Sequence, residues 1–156
     1  MTDNNRAVRD DISTAIRRYL NVLEGSGGAT LYDLAKALDE LVATYHRVPD
    51  VEPDTTDASA APRGDERAIQ EAASAAFPDL DWYALVEPSE GEKQDVLLSS
   101  ALGDLSEIAG DLMEVLWLFD NASHNDAVWE FRFGYQSHWG RHLHQVRPYL
   151  HELAAW

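Results

Sequence analysis

The chain has 156 residues, enough for one domain that buries roughly two-thirds of the surface its unfolded chain exposes. Its 28 acidic against 12 basic side chains give a formal charge of −16, which disfavours nucleic-acid phosphates and anionic membrane surfaces as partners. It has no cysteine, so any metal must bind through His, Asp and Glu, and no apolar run approaches the roughly 20 residues of a bilayer span. The opening MTDNNRAVRDD lacks the apolar core of a signal peptide, and the expectation is a single soluble, cytoplasmic domain over residues 1–156 with no membrane or nucleic-acid partner.

Val8, Ile12, Ile16, Tyr19 and Leu23 recur at the three-to-four spacing of one helix face, and EGSGG ends that segment. A second helix starts at Thr30, where Thr30 and Asp33 form a capping-box pattern, and carries Leu31, Leu34, Leu38, Leu41 and Tyr45 to a stop at Pro49. The short glycine-rich connection predicts an antiparallel helical hairpin. Residues 48–65, VPDVEPDTTDASAAPRGD, show no periodicity and read as an exposed, flexible acidic linker.

A third, alanine-rich helix spans about Asp65 to Ala76 and ends before Pro78. Trp82, Tyr83, Leu85 and Val86 follow in DLDWYALVEP; a lone strand has nothing to pair with, so the segment is expected to be an extended plug on the end of a bundle. Ser89 with Glu92 suggests a cap for a fourth helix from about Glu90 to Asp120, with Leu98, Leu102, Leu105, Ala109, Leu112, Leu116 and Phe119 as its core stripe. Ser123 with Asp126 opens a fifth helix running to about Leu153. The expected fold is therefore all-α, an up-down bundle of about five helices with a long C-terminal antiparallel pair.

A turn near residues 122–123 places positions whose numbers sum to about 245 at the same height, bringing Asp111 level with Gly134, Glu107 with His138 and Asp104 with Arg141. Asp104, Glu107, Asp111 and Glu114 share one flank of helix four, and His138 and His142 share one flank of helix five. Carboxylates and imidazoles thus converge along one seam. Two imidazoles at i and i+4 with Glu107 or Asp104 suit a divalent metal, although neither HExxH nor a paired Glu-x-x-His pattern is present; the alternative is that the histidines simply hydrogen-bond the carboxylates.

Arg132 falls among Val128, Tyr135, Trp139, Leu143 and Val146 on the apolar face and needs a partner, for which Asp111 or Glu114 is the nearest candidate. It either closes a structural ion pair or lies under an anionic ligand. The aromatics Trp117, Trp129, Phe131, Phe133, Tyr135 and Trp139 suit a core better than a cage for a cation. Gly134 and Gly140, with Gly103 and Gly110, suggest close approach of helices four and five, or else a bend.

FPDLDWYALVEP at 77–88, LGDLSEIAGDL at 102–112 and DAVWEFRFGYQSHWGRHL at 126–143 together resemble the bacterial domain of unknown function 5063 family, small helical proteins. The Trp-x-x-Arg and His-Trp-Gly-x-His elements are its most specific parts, and the similarity covers the chain from about Thr30 onward. The resemblance implies an all-helical fold and a bacterial cytoplasmic setting, and it brings no catalytic residue.

The favoured reading is a non-enzymatic, acidic helical interaction module without a cofactor, binding a basic protein partner. The candidate seam comprises Arg132, His138, Trp139, Arg141, His142, Asp104, Glu107 and Asp111. The alternatives are a metal-binding enzyme or sensor using His138 and His142 with Asp104 and Glu107, and an anionic small-molecule binder using Arg132.

Overall fold

The computed structural model describes residues 1–55 and 61–154, of which six α-helices and one two-stranded sheet are the framework. The order is α1 (Asp3–Leu23), α2 (Leu31–Arg47), α3 (Glu66–Ala76), β1 (Trp82–Leu85), β2 (Leu97–Ser100), α4 (Ala101–Asn121), α5 (His124–Ser137) and α6 (Trp139–Leu153). The protein is predominantly helical. No helix among the described residues is long and apolar enough to cross a membrane.

The N-terminal half follows its sequence pattern. Ile12, Ile16, Tyr19 and Leu23 of α1 are buried against Leu34, Leu38 and Leu41 of α2, and each such side chain contributes about 1.5–3 kcal/mol relative to exposure. The Thr30–Asp33 capping box forms in both directions. Gly25 and Gly27 take the left-handed backbone (φ 79° and 67°) that turns α1 into α2.

The described parts of the expected exposed linker are docked. Asp126 Oδ1 accepts from the backbone N–H groups of Asp54 and Thr55 at 2.8 and 3.0 Å, Val51 and Ala61 pack on the core, and Arg63 reaches α4. The remainder of that segment, residues 56–60, lies outside the described residues.

The segment expected to be a plug is the first strand of a β-hairpin. Trp82 pairs with Ser100, Tyr83 with Ser99, Ala84 with Leu98 and Leu85 with Leu97. The partner strand comes from residues expected to open helix four. That helix is capped instead by Ser100, whose side chain accepts from Gly103 N–H, while Ser89 and Glu92 fall in a short 3₁₀ segment (Pro88–Lys93) without a side-chain cap. Leu98, assigned to the core stripe, is therefore 72% exposed, whereas Leu105, Ala109, Leu112 and Phe119 are buried.

The long fifth helix is two helices, broken at His138 (φ −144°, ψ −81°). The flanking glycines explain the break. A Cβ on Gly134 would lie 2.6 Å from the Trp139 ring, and one on Gly140 would lie 2.0 Å from the Tyr135 carbonyl oxygen. These two glycines admit the bend and the turned-in indole, not close approach to α4; Gly103 faces Ser100 and Gly110 faces the Arg63 guanidinium. Trp139 is fully buried, tilted against Phe131, and its Nε1–H donates to the Phe131 carbonyl at 3.1 Å.

Candidate functional site

The bend sets the seam, because it puts His138 at the head of α6 and His142 one turn further on, both facing α4. His138 Nδ1 donates to Asp111 Oδ2 at 2.6 Å and His142 Nδ1 donates to Asp104 Oδ1 at 2.8 Å. A carboxylate can only accept, so each Nδ1 carries the hydrogen. His138 Nε2 stands 3.8 Å from Glu107 Oε2, and the two imidazoles meet edge to face with centroids 4.9 Å apart. Numbers rise along α6 as they fall along α4 through these contacts, so the pair is antiparallel, within a turn of the register that the sequence implies.

Asp104 is the buried centre of the arrangement, at 5% exposure. Its Oδ2 accepts from Tyr83 Oη at 2.5 Å and Ser99 Oγ at 3.1 Å, so the β-hairpin orients the carboxylate that orients His142. Burial, and then the bond to Asp104, push the Tyr83 hydroxyl well above its ordinary range. The bond to Asp104 raises His142 above its usual value against an opposing desolvation.

The cation facing the acidic flank of α4 is Arg63, not Arg132. Arg63 Nη1 donates to Asp111 at 2.6 Å and Glu114 at 3.2 Å, and Nη2 donates to Glu107 at 3.0 Å. The guanidinium lies across Gly110, where a Cβ would come within 2.8 Å of Nη2. Burial nevertheless raises the Glu114 carboxyl, and burial followed by the charges of Glu114 and Asp111 raises that of Glu130. Arg63 stands in the segment read as a linker, and its one sequence signal is that it is the sole cation there.

Arg132 turns away from α4. Its Nη1 donates to the carbonyls of Tyr45 and Val48 at 3.1 and 3.0 Å, closing the C-terminal end of α2, and its cation lies 4.7 Å from the Tyr45 ring centroid. Nε is buried without a hydrogen bond, 3.4 Å from the largely exposed Asp50 carboxylate. The orphan carbonyls of a helix end stabilise a cation as a carboxylate would, which is why the expected pairing with Asp111 or Glu114 is not made. Its Nη1 is thus engaged by the end of α2 within the protein.

Arg141, expected level with Asp104, binds Glu87 Oε1 at 2.7 Å in the connection between β1 and β2, and Trp139 is core. The seam therefore unites Asp104, Glu107, Asp111, His138 and His142 with Arg63, and it leaves out Arg132, Arg141 and Trp139. Of these, Glu107, His138 and His142 each offer one ligand atom, all within 4.8 Å of one another.

A second surface lies where a plug on the end of the bundle is expected. Tyr83 and Ser99 of the hairpin point inward, so Trp82, Ala84 and Leu98 share the outer face, where Trp82 is 63% exposed and Leu98 and the adjoining Val96 and Val86 are at least half exposed. The alternation of Trp82, Ala84 and Val86 around buried Tyr83 was its available signal.

No curated protein matches this chain. The crystal structure of protein BF1032 from Bacteroides fragilis is similar over 98% of this chain and 94% of that one, with a TM-score of 0.70 at 16% identity, which shows a shared fold. A family model, the domain of unknown function DUF5063, matches residues 4–155 and so takes in α1 as well as the region that carries the resemblance. The chain belongs to the DUF5063 family.

Proposed function

We propose that this protein is a non-enzymatic, acidic interaction module of the bacterial cytoplasm whose docking face is the outer side of the β-hairpin, and that its partner is a basic, amphipathic protein segment. The carrying observation is the apolar face of Trp82, Ala84, Val86, Val96 and Leu98, which is left uncovered in a chain of charge −16. Exposed apolar area of this kind mixes poorly with water and favours a partner that removes it.

The chemistry of the partner follows from what surrounds the patch. Residues 79–95 carry Asp79, Asp81, Glu87, Glu90, Glu92 and Asp95 against a single Lys93. A neutral apolar ligand gains nothing from that rim, whereas a segment with alternating apolar and Lys or Arg side chains satisfies both. Beside the hairpin, a cleft of about 530 Å³ between β1 and α6, lined by Leu85, Val86, Pro88, His144 and Pro148, suits one anchoring side chain.

A fluorescently labelled amphipathic Lys/Leu peptide tests this. Binding to the full chain that weakens steeply with salt and is lost in Trp82→Ser/Leu98→Ser is expected. The reading fails if the peptide does not bind at low salt, or if the double variant, still folded by circular dichroism, binds it equally well.

A further inference from the structure

The seam has a chemical property that docking on the hairpin does not use. Both histidines are held by carboxylates through Nδ1, at 2.6 and 2.8 Å, which leaves the Nε2 lone pair of each ring as the atom open to a ligand. A hydrogen bond from the far ring nitrogen to a carboxylate is the support that metal-binding histidines ordinarily have, since it fixes the tautomer and strengthens the donor. Here that support is doubled on the His142 side, where Asp104 is buried and held by Tyr83 and Ser99.

We propose that His138, His142 and Glu107 form a binding site for one divalent transition-metal ion, of the class of zinc or cobalt, with Asp104 and Asp111 as positioning residues. Two imidazoles and one carboxylate select this class, because magnesium and calcium prefer oxygen alone. Three protein ligands leave a fourth position for water or for a group from outside the chain. Asp104 is not a ligand, since both of its oxygens are occupied by protein donors.

The three ligand atoms lie within 4.8 Å of one another, whereas metal bonds of 2.0–2.1 Å in a tetrahedron bring ligand atoms to about 3.3 Å. Closing that gap needs small rotations of Glu107 and His138, whose side chains are 32% and 45% exposed and have room to turn. Arg63 is the opposing element. Its guanidinium holds the same Glu107 oxygen, Oε2, that faces His138, so an incoming cation must displace it. Arg63 is thus a built-in competitor for the site, carried on the segment that crosses α4.

The experiment is equilibrium dialysis of the untagged full chain against Zn²⁺, with excess Mg²⁺ to saturate the acidic surface. The expected result is one zinc per chain. His138→Gln, His142→Gln and Glu107→Gln each weaken binding, and Asp111→Asn weakens it about 10–100-fold, the usual effect of losing a carboxylate behind a ligating histidine. Arg63→Gln tightens it, while His46→Gln, away from the seam, leaves it unchanged. Cobalt gives an independent readout, because the four-coordinate ion absorbs visible light far more strongly than the hexa-aqua ion and that colour disappears with His142→Gln.

If a ligand substitution perturbs the circular dichroism spectrum, Arg63→Gln decides, since it removes only a part-exposed side chain. The proposal is overturned if neither the native chain nor Arg63→Gln binds zinc stoichiometrically, if the folded ligand variants bind as the native chain does, or if Arg63→Gln fails to tighten binding.

Discussion

The α1–α2 hairpin and the α4–α6 seam are both antiparallel helix pairs, yet they are held together in different ways. Between α1 and α2 the interface is largely apolar, with the Arg47–Asp11 ion pair at its margin. Between α4 and α6, carboxylates and imidazoles face one another inside the contact, with Asp104 buried. At the margin of the first pair, water can replace a lost polar partner. The second is made of groups that each leave a partner stranded.

The comparison is sharpest at the residues that shape the seam. Trp139→Ala is expected to cost about 3–5 kcal/mol, because it empties the space beside Phe131 and removes the reason for the bend at His138. Urea denaturation reads the loss, and a value near zero would mean that α5 and α6 can pack without the turned-in indole. Next, Gly140→Ala is expected to cost about 1–3 kcal/mol or more, since the neighbour 2.0 Å from its Cβ is backbone and cannot rotate aside. Gly27→Ala, between α1 and α2, meets nothing with its Cβ and bears only left-handed strain of about 1–2 kcal/mol. Equal losses at both glycines would erase the distinction between the two regions.

A smaller effect belongs to the first pair. Thr30→Ala removes one half of the capping box of α2 and should lower stability by about 1 kcal/mol in a thermal melt, without altering metal or peptide binding at the seam and hairpin. Asp33, the other half, is held down to about 2 by the Thr30 backbone and side chain and by Lys36, so this cap persists into acid.

The smallest expected effect is that of pH on the seam. His142 titrates above its ordinary 6.5 in the folded chain because protonation is favoured by Asp104. The stabilisation is complete below the unfolded-state value and is lost as pH rises through the raised folded-state value. The melting temperature of the metal-free protein should therefore decline as pH rises from the ordinary imidazole value through the raised folded-state one, and His142→Gln should flatten that slope. A native slope unchanged by the substitution would show that the seam does not sense pH through this residue.

What was readable in the sequence divides along the same line. Helices α1, α2 and α3 were legible because their own residues specify them: an apolar stripe in α1 and α2, an alanine-rich run in α3, the Thr30 cap of α2, and a terminating Gly or Pro in each. The β-hairpin was not, since residues 97–100 read equally as the first turn of a helix until strand 82–85 offers them a partner. The bend at His138 was legible only as one of two readings of its glycines. Gly134 and Gly140 are visible, but which neighbour they make room for depends on Trp139 turning inward toward Phe131.

The sequence by itself determined a mostly helical chain, the facing of α4 against the last helices, and the set of carboxylates and histidines available between them. Periodicity and caps are local, and a turn of known position fixes the register of an antiparallel pair. Only the tertiary structure decided which cation neutralises the acidic flank. Arg132 lies opposite that flank by helical register and yet turns to the carbonyl end of α2, while Arg63 reaches it from a stretch without periodicity. Choosing a charge partner is a competition among every acceptor within reach, and burial and distance, which settle it, exist only once the chain has folded.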